Sequence, residues 1–167
     1  MKDDSIIIAL PRVGKDGKII KVYKVRTMIP NAESLQPFVY ATNGLALGGK
    51  FADDYRITRV GRILRQYWMD EIPQIINLIK GDVKLFGVRP LSAHYLSLYS
   101  TEVRERRLKY TPGLISPIYF DCPKTFEEIQ QSELNYLNAY DRHPYLTDLL
   151  YFTKVLFNIA FRRVRSK

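Results

Sequence analysis

A proline behind two carboxylates, in Asp70-Glu71-Ile72-Pro73-Gln74, constrains this chain more than any other stretch. Proline lacks the N–H that a helix interior needs, but it fits a first helical turn, where that N–H would be unpaired anyway. Ile72, Ile75, Ile76 and Ile79 recur at helical spacing, so the residues after Asp70 read as an amphipathic helix. Gly81 stops it, and Val83 to Val88 reads as a strand that runs into Arg89-Pro90. Asp70 and Glu71 then sit at a helix N-terminus, where the positive end of the dipole favours negative side chains. Aspartate is also an ordinary N-cap and acidic first turns are common, so this stretch alone speaks only for a well-started helix. Chemistry has to come from what the rest of the chain brings to it.

Upstream, Ile6 to Leu10 reads as a buried strand, Gly14 to Gly17 as a turn, and Ile19 to Arg26 as the second strand of a hairpin. Lys24 and Arg26 share one face of that strand, which by itself describes two solvated cations. Asn31 to Asp54 carries Gly44, Gly48 and Gly49 and reads as a long loop with a short helix near Ala32 to Phe38. Gly48-Gly49-Lys50 lacks the spacing and the hydroxyl residue of a phosphate-binding P-loop. Ile57, Val60, Ile63 and Leu64 form the apolar stripe of a helix, with Arg56, Arg59, Arg62 and Arg65 winding round its other side.

Beyond Pro90, Leu91 to Lys109 has helical character and ends in a basic run, and Thr111-Pro112-Gly113 breaks it. Leu114 to Phe120 reads as extended. One helix starts at Thr125 and reaches about Tyr140; a last one covers Tyr145 to Val164 and carries Arg162, Arg163, Arg165 and Lys167 at its end. That last helix suits two roles: packed in the core, or lying in a membrane interface with its cations on anionic lipid. The expected fold is α+β in a single domain, 1–167: a small N-terminal β-hairpin, central helices carrying the Asp-Glu dyad, and C-terminal amphipathic helices.

Charge narrows the partners. With 26 Lys and Arg against 17 Asp and Glu, the net charge of +9 calls for something anionic: nucleic acid, an anionic membrane, or a phosphorylated substrate. The single cysteine, Cys122, excludes an internal disulfide and fits a reducing compartment. With one cysteine and two histidines, His94 and His143, there is little basis for a zinc site. No apolar run approaches the length of a membrane span.

Several short segments occur in a telling order: Lys24-Val25-Arg26-Thr27-Met28, Asp54-Tyr55-Arg56-Ile57-Thr58-Arg59-Val60-Gly61-Arg62, Asp70-Glu71-Ile72-Pro73-Gln74, Lys80-Gly81-Asp82, Gly87-Val88-Arg89-Pro90 and Pro112-Gly113. Each is weak alone. As an ordered set from about Arg12 to Gly113 they resemble the bacterial sugar transferases, the monotopic polyprenyl-phosphate phosphoglycosyl transferases. The resemblance implies transfer of a sugar-1-phosphate from a UDP-sugar to polyprenyl phosphate, with Mg²⁺, at the cytoplasmic face of the bacterial inner membrane. That step initiates exopolysaccharide or O-antigen-type glycans. It also implies that Asp70 and Glu71 are catalytic and metal-binding, with Asp70 the nucleophile, and that Arg65 and Arg89 bind substrate phosphates. Lys24 and Arg26, in the matched hairpin segment, are further candidates for phosphate binding, and Lys24 or Arg26 is expected to approach the same pocket. Gly87-Val88-Arg89-Pro90 replaces the more usual Gly-Pro-Arg-Pro, and Pro112-Gly113-Leu114-Ile115-Ser116 replaces Pro-Gly-Ile-Thr-Gly. The chain starts where the family's N-terminal membrane helix would end, so a catalytic domain without its anchor, bound peripherally, is expected.

The residue types suit that chemistry. A carboxylate attacking an anionic phosphodiester meets like charge, which a metal ion and fixed guanidinium groups offset. Arginines at element ends can each bind a phosphate bidentately. The competing reading is a basic nucleic-acid-binding module, with Ile57 to Lys80 as a helix–turn–helix. It leaves the apolar last helix unused and sets an acidic pair where a phosphate backbone would lie, so no nucleic-acid partner is expected.

Overall fold

The computed structural model describes residues 5–32, 34–43 and 54–161. At its start, Asp16 and Gly17 adopt positive φ and turn the chain between β1 (Ile7–Val13) and β2 (Ile19–Val25). The strands pair antiparallel, with Ile7 opposite Val25 and Val13 opposite Ile19. The expected hairpin is present, but Ile6 to Leu10 is not buried: Ile6 and Ile7 are exposed and only alternate residues are covered. A two-stranded ribbon has one covered face, and here Val22 supplies the buried side chain. After β2 the chain pairs with residues just ahead of the next helix: Ile29 N donates to Arg56 O, and Thr58 N to Thr27 O.

The first helix, α1 (Gln36–Asn43), lies a few residues later than expected. The glycines and Lys50 of the expected long loop lie outside the described residues, as do the C-terminal arginines and Lys167. Next, α2 (Arg59–Gln66) is capped by Thr58, whose hydroxyl accepts from Gly61 N at 2.9 Å. Its orientation reverses the expected stripe, since Val60 is 67% and Ile63 58% exposed while Gly61 is buried. The glycine is the cause: a Cβ there would lie 2.1 Å from Thr27 O, so only a bare Cα lets α2 close on that backbone. The arginines on the other side differ among themselves: Arg59 and Arg62 are exposed and Arg65 is half-buried. Arg56 is 3% exposed and makes a bidentate pair with Asp54 at 2.7 and 2.6 Å.

The helix expected from Asp70 is split into a 3₁₀ segment, Met69–Gln74, containing Pro73, and α3 (Ile75–Lys80), which ends at Gly81 with φ 75°. Here too the apolar residues face outward, with Ile72 57% and Ile79 81% exposed, while Gln74 and Asn77 are buried. The inward side meets the free edge of β2, whose backbone groups need partners that isoleucine lacks. Asn77 provides them: Oδ1 accepts from Tyr23 N at 3.0 Å, and Nδ2 donates to Lys21 O at 2.7 Å and to Asp82 Oδ2 at 3.0 Å.

Downstream, β3 (Lys84–Phe86) pairs in parallel with β4 (Gly113–Ile115). Two short helices, α4 (Ala93–Ser97) and α5 (Thr101–Leu108), replace the single expected one, each started by a serine cap, Ser92 and Ser100. The stretch expected to be extended to Phe120 turns instead into α6 (Ile118–Asp121). α7 (Phe126–Arg142), capped by Thr125, and α8 (Pro144–Phe161) close the described fold. Phe86, Val88, Tyr136, Leu137 and Val155 form the main core between β3, α7 and α8. The architecture is mixed α+β with its antiparallel hairpin at the N-terminus.

Candidate active site

Glu71 is where the elements converge. Its Oε1 accepts from Lys24 Nζ at 2.8 Å and from Arg89 Nη2. Lys24 comes from β2, Glu71 from the 3₁₀ segment and Arg89 from the residues after β3, so one carboxylate gathers groups far apart in sequence. Asp70, 5% exposed, lies beside them with Oδ2 at 3.6 Å from Lys24 Nζ. The local backbone explains why the two carboxylates are presented together. Trp68 takes a left-handed conformation, φ 55°, just ahead of Met69, which a tryptophan adopts only when its surroundings compel it. Its ring stands edge-on to Tyr119, centroids 5.9 Å apart, and its Nε1 donates to the Tyr119 hydroxyl at 3.4 Å. The Tyr119 carbonyl is held in turn by Asn158 Nδ2 of α8 at 2.9 Å.

The charges are strongly coupled. Burial alone would raise the Glu71 pKa, but the Arg89 and Lys24 cations beside it hold it down to about 2. Arg89 is raised above its ordinary value, chiefly by Glu71. Lys24 is lowered, first by burial and then by Arg89. Arg65, from the end of α2, is lowered by burial, though Asp70 and Asp54 oppose that shift. Its Nε donates to Thr27 Oγ1 at 2.8 Å, so the contact between Gly61 and Thr27 also aims Arg65. Among the described residues its two η nitrogens take no further partner, which leaves a planar pair of donors for an oxyanion.

Of the residues expected at the site, the structure brings together Asp70, Glu71, Lys24 and Arg89, with Arg65 in electrostatic reach of Asp70. Arg26 departs from the expectation. It follows the last residue of β2, its backbone N donates to Ile6 O, and its Nε donates to Ser5 O at 2.9 Å, so it is drawn toward the chain start. Position on a strand face did not decide its direction because β2 ends at Val25. Residues that sequence reasoning passed over are Thr27, which aims Arg65, and Asn77, which fixes the 3₁₀–α3 segment to β2. An amide inside the run Ile75-Ile76-Asn77-Leu78-Ile79 was the available signal.

A group of three or more His, Cys, Asp or Glu side chains able to enclose a metal does not occur among the described residues. The carboxylate atoms left open by the ion pairs are Asp70 Oδ1 and Glu71 Oε2. Two such oxygens would hold Mg²⁺ only as part of its ligand set, which suits an ion that commonly keeps several waters.

Two adjacent carboxylates faced by fixed cations from three elements define a site built for anionic chemistry. The model of the bacterial sugar transferase family matches residues 1–162, and the chain belongs to that family. Among curated proteins it is similar to the galactosyl transferase CpsE of Streptococcus agalactiae, 33% identical over 138 residues, covering 80% of this chain and 30% of that protein. It is similar to the uncharacterized sugar transferase EpsL of Bacillus subtilis, 39% identical over 103 residues, covering 62% of this chain and 45% of that one. A third relative is the undecaprenyl-phosphate galactose phosphotransferase of Salmonella typhimurium, 36% identical over 108 residues, covering 62% of this chain and 22% of that protein. The chain thus spans less than half the length of each.

Proposed function

We propose that this chain transfers a sugar-1-phosphate from a UDP-sugar to polyprenyl phosphate through a covalent intermediate on Asp70. An Asp70 carboxylate oxygen attacks the phosphorus that bears the sugar; the bond from that phosphorus to the UMP oxygen breaks, and UMP leaves. A phosphate oxygen of the polyprenyl phosphate then attacks the same phosphorus, breaking its bond to Asp70, restoring the carboxylate and releasing the lipid diphosphosugar. Splitting one displacement into two lets the same cations serve both. The observation that supports this reading is the convergence of Lys24 and Arg89 on Glu71, with Asp70 alongside and Arg65 near it. Glu71 keeps the two cations in place, and the unspent donors of Arg65 and Arg89 are available to the phosphates. Mg²⁺ held by Asp70 and Glu71 would supply charge neutralisation on the phosphates when bound.

The partner surface is proposed to be the cytoplasmic face of the bacterial inner membrane. No described helix is long and apolar enough to cross a membrane. Ile63 of α2 and Ile75, Ile76 and Ile79 of α3 are exposed, as are Met69 and Ile72 on either side of the dyad, and exposed apolar side chains in such number suit a membrane contact. Arg59 and Arg62 are exposed on the same helix as Val60 and Ile63, which suits anionic headgroups. The outward side of α8, with Leu149, Leu150 and Phe157, adds a second such face. The start of an exopolysaccharide or O-antigen-type glycan is the proposed role of the product.

The test is UMP release with Mg²⁺, undecaprenyl phosphate, and UDP-galactose or UDP-N-acetylgalactosamine. Those sugars are the ones in the names of two relatives, of Salmonella and Aeromonas hydrophila. Asp70→Asn is expected to abolish release while keeping the fold. Arg89→Lys is expected to lose much of it, because an ammonium does not reproduce a guanidinium fork. Near-normal release by Asp70→Asn would refute the nucleophile assignment. Duplex-DNA binding with a steep salt dependence, and no UMP release, would favour a nucleic-acid module instead.

A further inference from the structure

Three carbonyls between Val88 and Leu91 are held by three separate elements. Val88 O accepts from Gly113 N of β4 at 2.8 Å, and Leu91 O from Val13 N of β1 at 2.8 Å. Arg89 O accepts from Arg107 Nη2 at 2.6 Å, and here alone the donor is a side chain. Pro90 follows and has no N–H with which to anchor the same peptide. Arg107, on α5, is itself locked. Its Nη1 donates to Glu133 of α7, its guanidinium lies 4.8 Å from the Tyr99 ring, and the side chains of Arg107 and Glu133 are only 5% and 2% exposed. Burial, and then the Glu133 charge, push the Tyr99 hydroxyl above its ordinary pKa.

A buried ion pair of this kind seldom gives more stability than apolar side chains of similar volume. What apolar side chains do not supply is a donor to Arg89 O. We propose that Arg107, held by Glu133 and Tyr99, is a positioning residue for Arg89: it fixes the Arg89 carbonyl so that the guanidinium meets Glu71 and a substrate phosphate together. The inference rests on the reading of Arg89 as a phosphate-binding residue. It assigns to α7, which lies away from the dyad in sequence, a part in aiming one of the site's cations.

The experiment measures UDP binding by calorimetry with Mg²⁺, beside thermal unfolding, on the full chain. The key variant combines Arg107→Met, Glu133→Leu and Tyr99→Phe, which removes the charges and the hydroxyl together. It is expected to melt within a few degrees of the wild type yet bind UDP roughly tenfold more weakly, the effect of one misaimed charged hydrogen bond. In an Arg89→Lys background the same three changes are expected to weaken binding no further. Wild-type UDP affinity in the triple variant, or an equal further loss in the Arg89→Lys background, overturns the positioning role. Should the triple variant fail to fold, Arg107→Lys serves instead: its single ammonium stays with Glu133, so weakened binding is expected and unchanged binding overturns the proposal. Wild-type affinity in Arg89→Lys alone would remove the phosphate reading of Arg89 and the positioning role with it. That outcome is distinct, because it appears in the single variant before Arg107 is touched.

Discussion

Asn77→Ala tests how the dyad is held against β2. Asn77 is fully buried, and its side chain makes three hydrogen bonds: from Tyr23 N, to Lys21 O and to Asp82 Oδ2. Two of these close the backbone edge of β2 one residue before and three before Lys24. At about 1 kcal/mol net for each bond, the substitution should cost roughly 3 kcal/mol, with the orphaned backbone groups adding to that where water does not reach them. For a chain of this length, that lowers the melting temperature by about 6–12 °C. Asn77→Asp is the sharper variant. It keeps the acceptor for Tyr23 N but turns the donor into an oxygen facing Lys21 O and Asp82, so it should destabilise at least as much despite its near-identical shape. Both should slow UMP release, because the 3₁₀ segment loses its register against Lys24. The assays are urea unfolding and UMP release at saturating donor. If Asn77→Ala unfolds within 1 kcal/mol of wild type, the amide does not tie the two elements together, and its assigned role is wrong.

Other outcomes follow from the same geometry. Gly61→Ala should cost about 1–3 kcal/mol, because its Cβ would meet Thr27 O at 2.1 Å and backbone must move; UMP release should fall further than stability, since Thr27 also aims Arg65. The Glu71 pKa lies at about 2, below its ordinary 4.5, so the stability it contributes is present above pH 4.5 and is lost as pH falls from there toward 2. That gap corresponds to roughly 3 kcal/mol, and the difference in unfolding free energy between wild type and Glu71→Gln should shrink over that pH window. A constant difference would contradict the ion-pair account. Pelleting with anionic vesicles should drop in Ile63→Glu with Ile79→Glu and should fall with salt, measured by sedimentation; undiminished pelleting would move the membrane contact elsewhere.

The hairpin, the start of α7 and the polar–proline turn at Asp70 were legible because each rests on local chemistry: a glycine turn, a threonine cap, a proline without an N–H. Lys24, Glu71 and Arg89 were identifiable as candidates, though nothing local says that one carboxylate gathers both cations. The faces of α2 and α3 misled for a physical reason. Helical periodicity locates an apolar stripe but does not say whether it meets a core, and here Gly61 and Asn77 took the inner positions through backbone contacts. Arg26 misled because the strand ended before it. The parallel pairing of β3 with β4 and the Arg107–Glu133 pair join residues more than twenty positions apart, which no local pattern encodes.

The central claim is that Asp70 carries the phosphosugar. The most direct measurement is intact-protein mass after incubation with Mg²⁺ and UDP-galactose, and separately UDP-N-acetylgalactosamine, without lipid acceptor, followed by peptide mapping. The account predicts at most one UMP released per chain and a single phosphosugar adduct on Asp70, absent from Asp70→Asn and discharged by added undecaprenyl phosphate. An adduct on any other residue, or acceptor-dependent turnover of the same donor that passes through no adduct at all, would contradict it.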